Sequence, residues 1–289
     1  AMDKVDPRIL LYGEGWDMGT GLRPEDKAKK DNAYQLPRIG FFNDTERDAV
    51  KGAEVYGGIK AGFVSGQATE DIVAKSILGS SELGSYLSPD QVLNYVEAHD
   101  NFNLHDLLAE LHPDDDVLTR TKRIELATAM NLLMQGMAFM EVGQEFSRTK
   151  LVATGEDGQV LHSDRERAMN SYNAPDAVNQ VNWDILQDHQ ESIDFIKNII
   201  RLKTSCKAFS YQTYEDIYKH VFVQSAEQGS GLIIFEIKDD KHYQVIFNAS
   251  GLPYYLPNAD KLRLIVGNSR HKKPFYVENL TVSVFEVIQ

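Results

Sequence analysis

The chain has 289 residues, 42% hydrophobic and 25% charged, the make-up of a soluble globular polypeptide long enough for one large domain or two ordinary ones. Its formal net charge of −13 repels nucleic acid and anionic membrane surfaces, so neutral or cationic ligands are expected instead. No apolar run reaches the roughly 20 residues of a membrane-spanning helix, and the single cysteine, Cys206, excludes an internal disulfide or a multi-cysteine metal site.

In chain order, "RILLY" (8–12) and "RIGFF" (38–42) read as the first two strands. The glycine-rich "YGGIKAGFVSG" (56–66) lacks the lysine and hydroxyl spacing of a phosphate cradle and reads as a flexible loop. "ATEDIVAKSILG" (68–79) is a helix, and "VLNYVE" (92–97) a third strand. In "NFNLHDLLAEL", Leu104, Leu107, Leu108 and Leu111 form a helical face that Pro113 ends. The carboxylates of "PDDDV" (113–117) suit a solvated helix start. The following segment places Ile124, Ala127, Met130 and Met134 on one stripe, with Gly136 as terminator. "MAFME" (137–141) is the fourth strand and "QESIDFIKNIIRLKT" (190–204) a further helix. Strand and helix thus alternate through residues 1–207, the pattern of a parallel α/β fold.

After about Lys207 the texture changes to short β-rich runs, "HVFVQS", "GLIIFEIK", "HYQVIFNAS", "KLRLIV" and "LTVSVFEVIQ", punctuated by Gly, Asn, Pro and Asp. Residues 208–289 are therefore expected to form a separate all-β sandwich domain. Cys206, at the junction, is expected as a buried small hydrophobe. With so few cysteines and no charged-then-apolar leader pattern, the cytoplasm is the expected compartment, a secreted or cell-surface parent protein being the alternative.

Two clusters combine reactive groups at strand ends. Glu14 lies between two glycines, with Trp16 two positions on. An indole beside a carboxyl desolvates it and raises its pKa, as general acid work requires, and also offers a flat face to a sugar ring. G-E-G-W taken alone equally fits a turn with a solvated carboxylate. His99, Asp100 and Asn101 give a donor, an acceptor and an amide in succession, a set that binds several hydroxyls and stabilises positive charge on a sugar carbon. The alternative is a satisfied core histidine followed by Asp100 as helix cap. In a β/α barrel the C-terminal strand ends share one mouth, which would bring the two clusters together.

Five segments, "YGEGWD" (12–17), "NAYQLPRIGFFNDTERDAVKG" (32–52), "YVEAHDN" (95–101), "GQEFSRTK" (143–150) and "NSYN" (170–173), resemble in order the second half of type I pullulanases, debranching members of the α-amylase superfamily. The resemblance implies the second half of a (β/α)8 barrel followed by a β-sandwich. It implies Glu14 as general acid/base, Asp100 as transition-state stabiliser and His99 as a ligand of the sugar, with Trp16, Asn101, Tyr172 and Asn173 at neighbouring subsites. The implied substrate is a branched α-glucan such as pullulan, glycogen or starch, cut at α-1,6 links. No organic cofactor is required, and calcium is compatible with the family.

These enzymes retain anomeric configuration through a carboxylate nucleophile, carried in the family by an Arg-x-Asp motif one strand ahead of the acid. The sequence ahead of "RILLY" is "AMDKVDP", without that motif. The chain alone is therefore expected to be inactive, and to self-associate through an open half-barrel. The alternatives are a non-catalytic glucan-binding or interaction module, or an amylase relative acting on α-1,4 links.

Overall fold

The computed structural model describes residues 5–6, 9–55, 58–269 and 275–288. Arg8 of the first expected strand, and Tyr56 and Gly57 at the head of the glycine-rich segment, lie outside the described residues. The order of elements begins β1 (Leu11–Gly13), β2 (Ile39–Phe42), α1 (Asp44–Val50), β3 (Gly52–Val55), β4 (Gly58–Ala61), α2 (Glu70–Ile77), β5 (Val92–Asn94). It continues α3 (Leu104–Leu111), α4 (Val117–Leu133), β6 (Met137–Ala138), α5 (His162–Met169), α6 (Asp176–Asn179), α7 (Gln190–Ser205) and α8 (Tyr214–His220). Strands β7 (Val221–Ser225), β8 (Leu232–Lys238), β9 (His242–Asn248), β10 (Tyr254–Tyr255), β11 (Leu262–Gly267), β12 (Tyr276–Val277) and β13 (Thr281–Val287) complete an α/β fold.

The four expected strands pair in parallel in the order β1-β2-β5-β6. All are short, and backbone bonds continue the pairing past their ends, from Asn43 N–H to Leu93 O at 2.8 Å and from Phe139 N–H to Asn94 O at 2.9 Å. Buried amides join the strands at their C-terminal side: Asn43 donates to Asn94 Oδ1 and to Ser80 Oγ, both at 2.9 Å, and Asn94 donates to Gln135 O at 2.9 Å. These bonds satisfy polar groups that would otherwise be costly to bury.

The segment expected as a flexible loop instead supplies β4, which closes an antiparallel hairpin with β3 just ahead of it. Its glycines permit close approach of backbones. Gly52 has φ +113°, and a Cβ there would lie 2.2 Å from Lys60 O, while one at Gly62 would lie 2.5 Å from Val50 O.

Helix α4 starts as the acidic run suggests, with Asp116 accepting from Thr119 N–H at 2.7 Å. Its apolar stripe is buried, but so is every residue from Ile124 to Leu133, because α4 packs against α3, α7 and strand β13 at once. Glu125, on what would be its polar face, accepts from Ser192 Oγ at 2.6 Å and Asn268 Nδ2 at 2.9 Å.

Strands β11-β13-β9-β8-β7 form a five-stranded antiparallel sheet. One face, including Ile233, Phe235, Val245, Phe247 and Val284, joins the same apolar core as α4 and α7. The other, with Ile234, Ile246 and Phe285, lies under the two-stranded β10–β12 ribbon through Leu256 and Val277. The core runs without interruption through Phe209, Tyr211 and Ile217. Cys206 is half-buried rather than buried, because its thiol sits at the rim of this core, 3.5 Å from the Tyr243 hydroxyl. Among the described residues no helix is long and apolar enough to cross a membrane.

Candidate active site

Because the four strands run parallel, the residues just past them share one edge of the sheet. Glu14 follows β1 directly, Asp44 follows β2, and the 98–101 loop follows β5. Glu14, His99 and Asp100 thereby bring one side-chain atom each to within 4.8 Å of one another, and His99 Nε2 lies 3.2 Å from Asp100 Oδ1. Trp16 and Asn101 line the same small cleft, so five of the seven expected site residues meet. Tyr172 and Asn173 do not line it; Tyr172 points to solvent, 77% exposed.

Of the two glycines flanking Glu14, only Gly15 is demanded by the fold. It has φ +71°, and a Cβ would lie 2.5 Å from the Phe41 ring and 2.8 Å from Lys30 Cγ, whereas one at Gly13 would meet nothing. The tight turn is secured by Lys30, whose N–H donates to Gly15 O at 3.0 Å and whose ammonium sits 4.6 Å from the centre of the Trp16 ring. The same ammonium pairs with Asp44 and is pushed down to about 8 by burial. Glu14 itself is exposed, so the desolvation expected from Trp16 is not provided by these residues.

The competing assignment of Asp100 as a helix cap is corrected by the structure. Helix α3 begins at Leu104, and the group that takes its first N–H is Glu97, whose Oε2 lies 2.7 Å from Leu104 N. Glu97 is buried, and burial pushes its carboxyl up to about 8. Asp100 and His99 both remain exposed, so the histidine is not a core residue.

Sequence reasoning assigned no role to Phe42, Asp44, Arg47 or Tyr95, which complete the cleft. Asp44 Oδ1 accepts from the Tyr95 hydroxyl at 2.5 Å, and that hydroxyl accepts from Arg47 Nη1 at 2.6 Å. Burial pushes Tyr95 up to about 12, which keeps it a neutral donor. Phe42 is the hub of an edge-to-face cluster with Tyr12, Tyr95 and Phe139, at centroid distances of 5.9, 4.9 and 5.2 Å. The available signal was the Asp44/Arg47 spacing in "NDTERD", two opposite charges three residues apart where a helix follows a strand.

Two carboxylates and one imidazole within 4.8 Å of one another can donate a proton, accept one and stabilise a cation.

No protein-family model matches the chain. It is 35% identical over 276 residues to a pullulanase of Bacillus subtilis (strain 168), covering 91% of this chain and 36% of that protein. A pullulanase of Anoxybacillus sp. LM18-11, solved with maltotetraose, superposes with a TM-score of 0.85 at 32% identity, over 99% of this chain and 40% of that one. A pullulanase of Paenibacillus barengoltzii, solved with maltohexaose and α-cyclodextrin, gives 0.83 at 32% identity, over 100% and 45%. The chain is a member of the pullulanase family, spanning about two fifths of the length of the relatives it matches.

Proposed function

We propose that this chain carries the acid/base half of a retaining glycosidase site that hydrolyses α-1,6 links in branched α-glucans. The observation that carries the reading is the meeting of Glu14, His99 and Asp100 within 4.8 Å, beside Trp16, at the C-terminal edge of a parallel sheet in a chain of this family. Glu14 protonates the leaving glycosidic oxygen and then, as a carboxylate, takes a proton from the attacking water. Asp100 faces the sugar carbon as it becomes cationic, and His99 holds a hydroxyl of the same sugar. Trp16 supports the neighbouring unit, and Tyr172 and Asn173 reach a more distant one. The nucleophile is a carboxylate supplied from outside the residues of this chain.

On this reading the parallel sheet is the second half of a (β/α)8 barrel, and residues 208–289 form the sandwich domain that follows it. The inner face of the sheet supports that assignment. It borders an open cleft of about 740 Å³ lined by Leu10, Tyr12, Leu93, Met137 and Phe139, and Leu10, Leu11 and Tyr12 on the β1 edge are exposed. An unpaired apolar edge of this kind invites a partner strand. The remaining β/α units are its proper occupant, and a second copy of the chain takes their place when they are withheld.

The test is reducing-sugar release from pullulan and from linear maltodextrins. The chain is assayed alone, and again paired with the segment of the Bacillus subtilis relative that it does not match, with Glu14→Gln as control. Turnover of pullulan only in the pairing, lost in E14Q, is the expected result. Turnover of maltodextrins alone would assign the α-1,4 reading, and glucan binding without turnover in any sample would assign a binding module. Sedimentation of the unpaired chain should show concentration-dependent association, and a monomer at all concentrations would contradict the open-edge account.

A further inference from the structure

The loop that presents His99 and Asp100 is held from beneath by buried charged side chains. Phe102 O accepts from Lys51 Nζ at 2.7 Å, and Phe102 N–H donates to Glu54 Oε1 at 3.1 Å. Lys150 does more than these. It is 2% exposed, and its Nζ donates to His99 O at 3.2 Å and Asn101 O at 2.6 Å, the carbonyls on either side of Asp100. The third donor reaches Ser171 Oγ at 3.3 Å, next to Tyr172 and Asn173. Asn101 between these anchors has φ +64°, a left-handed conformation that carries the chain sharply round after Asp100. Lys150 is itself fixed: its N–H donates to Asp106 Oδ2 at 2.8 Å, and Thr149 Oγ1 donates to the other oxygen of the same buried carboxylate.

We propose that Lys150 is the positioning residue of this site, setting the direction of His99 and Asp100 and tying the Ser171–Asn173 segment to them. The inference rests on the glycosidase reading above for its catalytic consequence, but not for its geometry. An ammonium is a point with three donors, and here three acceptors from two separate loops converge on it. A guanidinium is a planar fork and cannot serve the same three directions. Burial lowers Lys150 below the ordinary lysine range, with Asp106 opposing that effect, and donation to all three acceptors at once requires the ammonium form.

The experiment compares Lys150→Met and Lys150→Arg with the parent chain. Amide ¹H–¹⁵N resonances of residues 98–104 and 170–174 report the loop directly, because the amides of Asp100 and Phe102 share peptide units with the two bracketed carbonyls. Turnover of pullulan is measured in the pairing described above. Expected in K150M are a folded chain, moved resonances at Asp100, Phe102 and Tyr172, and kcat lowered about 100-fold with KM near the parent value. K150R should recover only part of the loss.

Unmoved Asp100 and Phe102 resonances in folded K150M overturn the proposal whatever the activity, and so does an unchanged kcat. Should K150M not fold, Ser171→Ala decides: moved Tyr172 and Asn173 amides support the tie between the loops, and unmoved ones refute it. If the parent pairing shows no turnover while K150M still moves the loop, the glycosidase reading fails and the structural assignment of Lys150 stands.

Discussion

Replacing Glu46 by glutamine should change how stability depends on pH. Glu46 lies in the first turn of α1, fully buried, with Oε2 accepting from Tyr95 N–H at 3.1 Å and Oε1 without a hydrogen-bond partner. Burial pushes its carboxyl up from 4.5 to about 8 in the folded chain. Below pH 4.5 both folded and unfolded chains hold the proton, and the stability associated with the raised value is fully present. As pH rises toward 8 the unfolded chain releases the proton while the folded chain keeps it, so stability falls, by about 5 kcal/mol over the whole interval and by roughly half of that between pH 5 and 7. Glutamine reproduces the neutral acid in shape, retains an oxygen for Tyr95 N–H and has no proton to lose. Glu97, raised to about 8 by burial, adds a similar slope in the same direction and is common to both proteins. Lys203, lowered to about 7 by burial, acts in the opposite sense mainly above pH 7, so pH 5 to 7 is the informative window. Urea unfolding followed by circular dichroism at pH 5, 6 and 7 should show the stability of E46Q relative to the parent rising by about 2–3 kcal/mol across the window, with m unchanged. Parallel pH profiles for the two proteins would refute the reasoning.

Phe209 is fully buried where the helical layer meets the C-terminal sheet, with its ring 5.4 Å from that of Tyr243. Phe209→Ala should cost about 3–5 kcal/mol, read as a lower midpoint in urea, and should loosen both sides of the core together. A change that left the melting of the C-terminal sheet untouched would mean that the core is not continuous there. Gly52→Ala places a methyl 2.2 Å from Lys60 O in a left-handed conformation, and should destabilise the β3–β4 hairpin by more than about 1 kcal/mol. Faster amide exchange confined to residues 52–61 is the expected signature, and unchanged exchange would show that the backbone there can yield.

What the residues revealed by themselves was local. Alternation of strand and helix, the stripes on α3 and α4, the acidic start of α4 and the β-rich texture after residue 208 all follow from side-chain periodicity and capping chemistry. Glu14, Trp16, His99, Asp100 and Asn101 were legible as well, since their motifs stand just after apolar runs. The readings that failed depended on neighbours distant in sequence. Gly62, in the glycine-rich segment, read as flexibility because the Val50 carbonyl that crowds it cannot be seen in a one-dimensional pattern. The cap of α3 was sought at Asp100, whereas the fold buries Glu97 and gives it the N–H of Leu104. Lys150 was only the last letter of a motif, and its three acceptors come from two other loops. Periodicity is written into the chain because it reflects which side of an element meets water. Convergence of Glu14 with Asp100, and of three acceptors on one buried ammonium, is decided only when parallel strands align their ends and burial removes water as the competing partner.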